Sequence, residues 1–263
     1  MKRIAILGSS TPCAAGVPPH LVAMAPAGIE LVPWPLPLSG FPHTPYDRVL
    51  VETGHAAAAQ EAVAGGVDAL YVDTFGDYAV AAMRSLGDVP VIGAGEATLH
   101  AATLVARRYS IVTVWPRSMR YLYEDRLAAT GLGERCASIR HLEEEPSVMG
   151  RLERADADLT ARIATACRDA IAQDGAEAIA LGCSCMAPVH AAVAAAVAAP
   201  VLCCSRTGFA MAVAATLGAW ASSPIAYPRV TAERAVRLVA LTRGAALAGG
   251  EDACPVCPVT PAA

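Results

Sequence analysis

The stretch Gly66–Thr74, which reads GVDALYVDT, recurs in altered form at Gly175–Cys183, which reads GAEAIALGC. Both copies place a glycine, an apolar residue, an acid and an alanine before three apolar positions, and both end in a hydroxyl or a thiol. The offset between them is 109 residues (175 − 66). A short apolar run bounded by glycine and small polar residues is typical of a strand buried in a parallel sheet. The repetition therefore predicts that the chain contains two similar α/β halves.

Two further pairs of segments support this repeat. Ile4–Leu7 (IAIL) matches Ile111–Val114 (IVTV), and Pro90–Ile92 (PVI) matches Pro200–Leu202 (PVL). These pairs occur in the same order as the first pair and at nearly the same spacing. We therefore predict an α/β fold with two similar lobes related by a pseudo-twofold axis, each with a mostly parallel sheet flanked by helices.

Short β-branched runs alternate with Ala-rich stretches along the chain, and this pattern predicts the individual elements. Strands are expected at Arg3–Leu7, Ile29–Pro33, Ala69–Val72, Val89–Ile92, Ser110–Val114, Ser138–His141, Ala178–Leu181 and Val201–Cys203. Helices are expected at Val49–Ala64, Tyr78–Ser85, Glu96–Ala106, Ser118–Ala129, Ala155–Asp174, Ala187–Ala198, Thr207–Thr216 and Thr231–Ala245. We assign residues 1–107 and about 218–250 to the first lobe, residues 108–217 to the second, and residues 251–263 to a loose C-terminal tail.

The composition excludes several classes of protein. Apolar residues make up 55% and charged residues 17% of the 263 residues, which excludes a disordered chain and favours a homo-oligomer with a weakly charged surface. The net charge is −4 and no basic stripe occurs, so no nucleic-acid partner is expected. The Ala-rich run Met186–Cys204 contains Pro188 and Pro200, which favours a packed helix and strand over a membrane span. No N-terminal stretch has the apolar core of a signal peptide, so we expect a cytoplasmic protein with reduced cysteines.

The two copies of the repeat end in Thr74 and Cys183. Ligands of parallel sheets bind beyond the carboxyl ends of the strands, so both side chains are expected to face one cleft between the lobes. Gly182 permits a turn that places the Cys183 thiol near a helix N-terminus, where it can take and give a proton near neutral pH. Thr74 is a far weaker acid and needs a neighbour such as Asp73 or Asp77. The alternative for Cys183 is a structural cysteine, and the alternative for Thr74 is a helix N-cap.

Small polar residues near the predicted strand ends are candidate ligands for a carboxylate or an imide. The expected substrate-binding residues are Ser9, Ser10, Thr11, Phe75, Gly76, Thr113, Ser184 and Cys185. The spacing of most cysteines does not match a zinc site, and the pair Cys254 and Cys257 stands alone in the predicted tail. Gly93-x-Gly95 lacks the third glycine of a dinucleotide fingerprint. We therefore expect neither a metal nor a cofactor.

Three stretches resemble the aspartate/glutamate/hydantoin racemase superfamily, whose members work without pyridoxal phosphate. Asp73–Asp77 (DTFGD) resembles the hydantoin racemase segment in which Cys-Phe-Gly-Asp contains the first catalytic cysteine. Pro90–Ala97 resembles the strand and helix that follow, and Gly175–Met186 resembles the second catalytic segment, which ends in Gly-Cys-Ala-Gly-Met. The resemblance spans roughly residues 1–217. It implies the two-lobed α/β fold, with the last helix packed on the first lobe.

This chain has Thr74 where the first catalytic cysteine of that superfamily is found. In the two-cysteine mechanism one thiolate removes a proton and the other thiol delivers one to the opposite face. Some aspartate/glutamate racemases have threonine at the first position. The resemblance therefore implies a racemase or epimerase that transfers protons at the α carbon of a small carboxylate, amino acid or hydantoin-like substrate. Cys183 would be the main acid/base, with Thr74 on the opposite face.

Two alternatives stay open at this point. Arylmalonate decarboxylase and maleate isomerase belong to the same superfamily, and arylmalonate decarboxylase keeps only the second cysteine. The chain could thus be a decarboxylase of a substituted malonate, or a cis-trans isomerase of a diacid, with Cys183 as its single thiol. The second alternative is a non-catalytic protein that binds a small carboxylate.

Overall fold

The computed structural model describes residues 1–8 and 16–248. The predicted ligands Ser9, Ser10 and Thr11 and the predicted tail at 251–263 lie outside the described residues. The chain divides into two compact units. Among the described residues, the first unit comprises 1–8, 16–73, 78–93 and 209–248, and the second comprises 74–77 and 94–208.

The first unit contains a parallel sheet with the strand order β2-β1-β3-β4. Its strands are β1 (Lys2–Leu7), β2 (Ile29–Trp34), β3 (Ala69–Val72) and β4 (Val91–Gly93). Its helices are α1 (Pro19–Val22), α2 (Pro45–Ala64), α3 (Val80–Met83) and α10 (Ala232–Ala248).

The second unit contains a parallel sheet with the equivalent order β6-β5-β7-β8. Its strands are β5 (Tyr109–Thr113), β6 (Cys136–His141), β7 (Ala178–Leu181) and β8 (Val201–Cys203). Its helices are α4 (Ala94–Val105), α5 (Arg120–Thr130), α6 (Met149–Glu153), α7 (Ala157–Asp174) and α8 (His190–Ala195), and α9 (Cys204–Leu217) contains the boundary at residue 209.

Every predicted strand is present within two residues of its expected bounds. The two four-stranded sheets have the same strand order, which confirms two similar α/β halves with parallel sheets. The helix predicted at Ala187–Ala198 is instead a 3-10 turn, Ser184–Val189, followed by the short helix α8. Pro188 lies inside this turn and has no N–H to donate to an α-helical bond. Helices α1 and α6 were not predicted.

The contacts group α4 with the second unit, whereas the sequence-based division placed residues 94–107 in the first lobe. Helix α4 packs against β7 and β8, which explains this grouping. The last helix, α10, packs against α2 in the first unit, and Arg243 forms an ion pair with Glu61 at 2.6 Å. This packing agrees with what the family resemblance implied. No helix in the described part of the chain is long and apolar enough to cross a membrane.

Local sequence explains where the longest helices begin. Helix α2 starts with a capping box, in which the Thr44 hydroxyl accepts the Asp47 N–H at 3.2 Å and the Asp47 carboxylate accepts the Thr44 N–H at 2.9 Å. Pro45 occupies the first helical position, where its missing N–H has no cost. Asp156 caps α7 by accepting the N–H of Leu159 at 2.9 Å. These N-caps determine where α2 and α7, the two longest helices that cover the sheets, begin.

Candidate active site

Thr74 lies just beyond the carboxyl end of β3, in a turn in which the Asp77 N–H donates to the Thr74 carbonyl at 3.2 Å. The residue is 7% exposed. Its hydroxyl is buried and has no hydrogen-bond partner within the described residues. The helix that follows, α3, begins only at Val80, so Thr74 is not its N-cap. A buried hydroxyl without a partner is unfavourable, and this one is available to a bound ligand.

The side chain of Asp77 fastens this turn to the N-terminus of α4. One carboxylate oxygen accepts the Gly95 N–H at 2.8 Å, and the other accepts the Glu96 N–H at 2.6 Å. These N–H groups lie in the first turn of α4 and have no partner within the helix. The backbone of Asp77 has a φ of 48°, in the left-handed region. The segment 74–77 is therefore held against α4 by two charge-assisted bonds.

Gly95 is needed for the same contact. A Cβ atom at this position would lie 2.1 Å from the carbonyl oxygen of Phe75 and 2.9 Å from an Asp77 carboxylate oxygen. Gly95, the second glycine of the incomplete Gly93-x-Gly95 fingerprint, is thus a close-approach position, where the backbone of residue 75 rests on the helix start. The sequence correctly favoured a helix beginning here but did not indicate what packs on it.

The environment of Asp77 alters its acidity. Burial raises the pKa of Asp77 to about 7, and the negative charge of Glu96 raises it further, while the two backbone N–H groups oppose this change. The side chain is 3% exposed. The carboxyl group therefore changes its protonation state in the neutral range.

Cys183 follows β7 and caps the 3-10 turn Ser184–Val189, as the sequence predicted for a residue at a strand end and helix start. The N–H of Cys185 donates to the Cys183 sulfur at 3.2 Å. The structure joins Cys183 and Cys185 in a disulfide, with their Cα atoms 5.2 Å apart. The expectation of reduced cysteines is therefore wrong for this pair, because the tight turn brings the two sulfurs into contact. The thiols of Cys136 and Cys167 are free.

Gly182, which precedes Cys183, is held through both of its backbone polar groups. Its N–H donates to the Val112 carbonyl at 2.8 Å, and its carbonyl accepts the Tyr123 hydroxyl at 3.1 Å. A Cβ atom at position 182 would lie 2.9 Å from the Tyr123 ring and 3.1 Å from Cβ of Thr113. Only glycine leaves room for these neighbours, so the Gly-Cys pair reflects close packing at the end of β7.

Tyr123 is a residue that the sequence did not single out. It lies on α5, is 2% exposed, and its hydroxyl is 2.6 Å from the Thr113 hydroxyl. Its ring lies 5.3 Å from the Phe75 ring and 5.8 Å from the His141 ring, measured between centroids. One side chain therefore contacts Phe75, which follows Thr74, and Gly182, which precedes Cys183.

His141 is a second residue that was missed. It ends β6, and its Nδ1 atom lies 3.1 Å from the Trp115 carbonyl oxygen. Burial lowers the pKa of His141, so its neutral form is favoured. Its Nε2 atom is buried and lacks a partner in the described part of the chain. Its position at the end of the predicted strand Ser138–His141 is the feature of the sequence that could have indicated a site residue.

The structure places the other expected ligands as follows. Phe75 and Gly76 are buried in the turn after β3, and Thr113 is fully buried with its hydroxyl against Tyr123. Ser184 and Cys185 are half-buried in the 3-10 turn. Among the described residues, no three or more His, Cys, Asp or Glu side chains come close enough to hold a metal ion.

Comparison with known proteins identifies the family. The model of the Asp/Glu/Hydantoin racemase family matches residues 25–212. A hydantoin racemase of Rhizobium meliloti is 31% identical over 196 residues, which cover 71% of this chain and 77% of that protein. The chain belongs to the Asp/Glu/hydantoin racemase family, and it is an enzyme of the racemase class.

Solved structures agree with this assignment. The structure of allantoin racemase from Pseudomonas fluorescens superposes with a TM-score of 0.75 and 25% identity, covering 87% of this chain and 97% of that one. A double mutant of arylmalonate decarboxylase in the liganded form gives a TM-score of 0.62 at 20% identity, covering 83% of this chain and 94% of that one. The latter likeness shows the fold alone.

Proposed function

We propose that this enzyme racemises a small carbon acid without a cofactor, with Cys183 as the main acid/base and Thr74 on the opposite face of the substrate. The observation that carries the proposal is the buried Thr74 hydroxyl, which has no partner among residues 1–8 and 16–248, in a segment that Tyr123 connects to the one containing Cys183. Such a hydroxyl is expected to bind a ligand, because a group left unpaired is costly in a folded protein.

The reduced form of Cys183 supplies the chemistry. Its thiolate removes the α proton of the substrate, and the electron pair of the C–H bond passes into an adjacent carbonyl to give an enolate. The Cys185 N–H lies 3.2 Å from this sulfur in the disulfide form, and the same contact in the reduced form would favour the thiolate. The enolate is reprotonated on the opposite face by a water molecule that the Thr74 hydroxyl orients, and the hydroxide that this leaves is neutralised by a proton from solvent. Cys183 then returns its proton to solvent.

The relatives support a cyclic imide or ureide as the substrate. The curated relative is a hydantoin racemase and the solved one an allantoin racemase. In such a ring the α carbon lies next to a carbonyl group, which accepts the negative charge of the enolate. N–H groups of the turn that follows Cys183 are candidates for stabilising that charge. Ser184 and Cys185 in this turn and Phe75 and Gly76 after Thr74 are the proposed substrate contacts.

Exchange of the α hydrogen tests this function directly. Reduced enzyme is incubated in deuterium oxide with single enantiomers of 5-substituted hydantoins, allantoin, aspartate and glutamate. Deuterium uptake at the α carbon and loss of optical activity are both measured against a blank without enzyme. We expect enzyme-dependent exchange with at least one cyclic substrate, and its loss in Cys183→Ser. Absence of exchange above the blank over the whole panel would overturn the proposal.

The single thiol gives a second candidate function. With Thr74 in place of the family's first cysteine, the enzyme has one strong proton donor, which is what decarboxylation of a disubstituted malonate requires. The C–CO₂ bond breaks to release carbon dioxide, and the Cys183 thiol protonates the resulting carbanion. Carbon dioxide release from arylmethylmalonate, abolished by Cys183→Ser, would favour this reaction over racemisation.

A further inference from the structure

We propose that Tyr123 is a positioning residue that fixes Cys183 relative to Thr74. This inference rests on the proposed function, since it assigns a role to a residue behind the proposed acid/base rather than to one that touches the substrate. It is based on the contacts of a single buried side chain with both of the segments that the proposed reaction needs.

The first set of contacts concerns the backbone at Cys183. The Tyr123 hydroxyl donates to the Gly182 carbonyl at 3.1 Å and therefore accepts from the Thr113 hydroxyl, which lies 2.6 Å away. The Trp115 N–H approaches the Thr113 hydroxyl oxygen at 3.4 Å. These groups form a chain of hydrogen bonds that ends on the carbonyl of the Gly182–Cys183 peptide. Each bond in such a chain polarises the next, so this peptide is held in one orientation and its N–H is made a better donor.

The second set of contacts concerns the segment at Thr74. The Tyr123 ring packs against the Phe75 ring with a tilt of 53° and a centroid distance of 5.3 Å. The carbonyl of Phe75 rests on Gly95, and the Asp77 carboxylate holds the first N–H groups of α4. Phe75 therefore has little freedom to move away from the ring. The position of Thr74 is in this way coupled to the same side chain that orients the peptide of Cys183.

Tyr123 is unsuited to act as a proton donor itself. Burial raises the pKa of Tyr123 above that of free tyrosine, and the hydroxyl proton is already given to the Gly182 carbonyl. The ring also packs edge-on against the His141 ring, with 5.8 Å between the centroids. Its contribution is therefore geometric. A displacement of about 1 Å at a reacting group can reduce the rate of a reaction about 100-fold.

A second buried tyrosine in the same unit provides a matched control. Tyr109 is fully buried on β5, and its hydroxyl donates to the Leu132 carbonyl at 3.2 Å. Replacing either residue by phenylalanine deletes one hydroxyl and leaves one backbone carbonyl without its donor. Both variants thus lose a bond from tyrosine to a backbone carbonyl, but only Tyr123→Phe also leaves the Thr113 hydroxyl without its acceptor and affects the peptide that precedes Cys183.

The experiment compares Tyr123→Phe and Tyr109→Phe by two readouts. The first is kcat and KM for the substrate identified by α-hydrogen exchange. The second needs no substrate: each reduced protein reacts with iodoacetamide from pH 5 to pH 9, and alkylation of Cys183 is followed by peptide mass spectrometry. For Tyr123→Phe we expect kcat to fall 10- to 100-fold with KM changed less than threefold, and the alkylation midpoint to move to higher pH. Tyr109→Phe should match the wild type in both readouts.

The outcomes separate this inference from the proposed function. An unchanged kcat and an unchanged alkylation profile in Tyr123→Phe overturn the positioning role, even if the wild-type enzyme is an active racemase. Equal changes in both tyrosine variants also overturn it. If the wild type exchanges no substrate, the racemase proposal fails while the alkylation profile still tests Tyr123. Should Tyr123→Phe not fold, Thr113→Val removes the bonds at the other end of this chain, and Thr113→Ser, which keeps the hydroxyl, should retain the wild-type profile.

Discussion

The carbonyl oxygen of Phe75 rests directly on Gly95, at a position that leaves no room for a Cβ atom there. This contact joins the turn after β3 to the start of α4. Together with the two bonds from Asp77, it determines where Thr74 lies in the second unit.

The first prediction concerns Gly95→Ala. The added methyl group would lie 2.1 Å from backbone, which cannot move like the end of a flexible side chain, so the turn at Thr74 must shift. We expect a loss of about 1–3 kcal/mol in the free energy of unfolding and a larger proportional loss of kcat. Urea unfolding and the exchange assay measure these. Gly133→Ala is the control, since nothing lies within 4 Å of a Cβ atom at that position. If Gly95→Ala and Gly133→Ala had the same free energy of unfolding, the close contact between Phe75 and Gly95 would be contradicted.

The second prediction concerns the pH dependence of stability. Because the pKa of Asp77 is raised to about 7 in the folded protein, the folded state binds a proton that the unfolded chain has lost above its ordinary pKa. The stabilisation of the folded state by protonated Asp77 is therefore fully present below about pH 4, and it is lost as the pH rises toward 7 and beyond. Between these limits the wild type should lose stability relative to Asp77→Asn, by at most about 1.4 kcal/mol per pH unit.

Urea unfolding at several pH values between 4.5 and 7.5 measures this effect. Asp156→Asn provides a control of opposite sign, because the Leu159 N–H and Arg151 lower the pKa of Asp156. The stabilisation from Asp156 is present above its ordinary pKa and is lost only as the pH falls through its lowered value. It should therefore not change over the measured range. A difference between wild type and Asp77→Asn that stays constant with pH would show that Asp77 does not titrate there.

The sequence predicted the sheets well because their signal is local. A buried parallel strand such as Ala178–Leu181 is an apolar run of β-branched and small residues, and this pattern can be seen without knowing what packs on it. The repeat also located Thr74 and Cys183 at equivalent strand ends. Both features depend on residues adjacent in the chain.

The missed residues depend on contacts between distant parts of the chain. Tyr123 lies in the first turn of α5, and its sequence neighbours give no indication that its hydroxyl meets Gly182, 59 positions away. The sequence showed Gly95 only as half of an incomplete dinucleotide fingerprint, because the residue that requires a glycine there, Phe75, lies 20 positions earlier. The contact between Cys183 and Cys185 depends on the shape of the turn, which C-x-C spacing permits but does not require.

The third prediction concerns the disulfide between Cys183 and Cys185. A sulfur in a disulfide has no proton to transfer, so the oxidised enzyme should be inactive and a phosphine reductant should restore its activity. Oxidation by diamide transfers two protons and two electrons from the thiol pair to the diazene, which becomes a hydrazine. The activity that remains in Cys185→Ser should resist diamide, whereas Cys136→Ser, which alters a free cysteine, should stay sensitive. Full activity of the oxidised wild type would exclude Cys183 as the acid/base.

The last prediction concerns Thr74 itself. Cysteine is slightly smaller than threonine and fits the same buried position, and its thiol is a much stronger acid than a hydroxyl. In Thr74→Cys a second thiol can replace the oriented water as the proton donor, so racemisation should become faster than in the wild type. Thr74→Val keeps the shape but removes the hydroxyl, and should lower the rate about 100-fold or more.

Polarimetry of one enantiomer under reducing conditions, together with deuterium uptake at the α carbon, measures both variants. Thr74→Ser is the matched control, since it keeps the hydroxyl and should retain most of the activity. If Thr74→Val is as active as the wild type and Thr74→Cys gains nothing, position 74 does not face the reacting carbon. The unpartnered hydroxyl would then need another explanation, and a reaction with Cys183 as the only proton carrier, such as decarboxylation, would gain support.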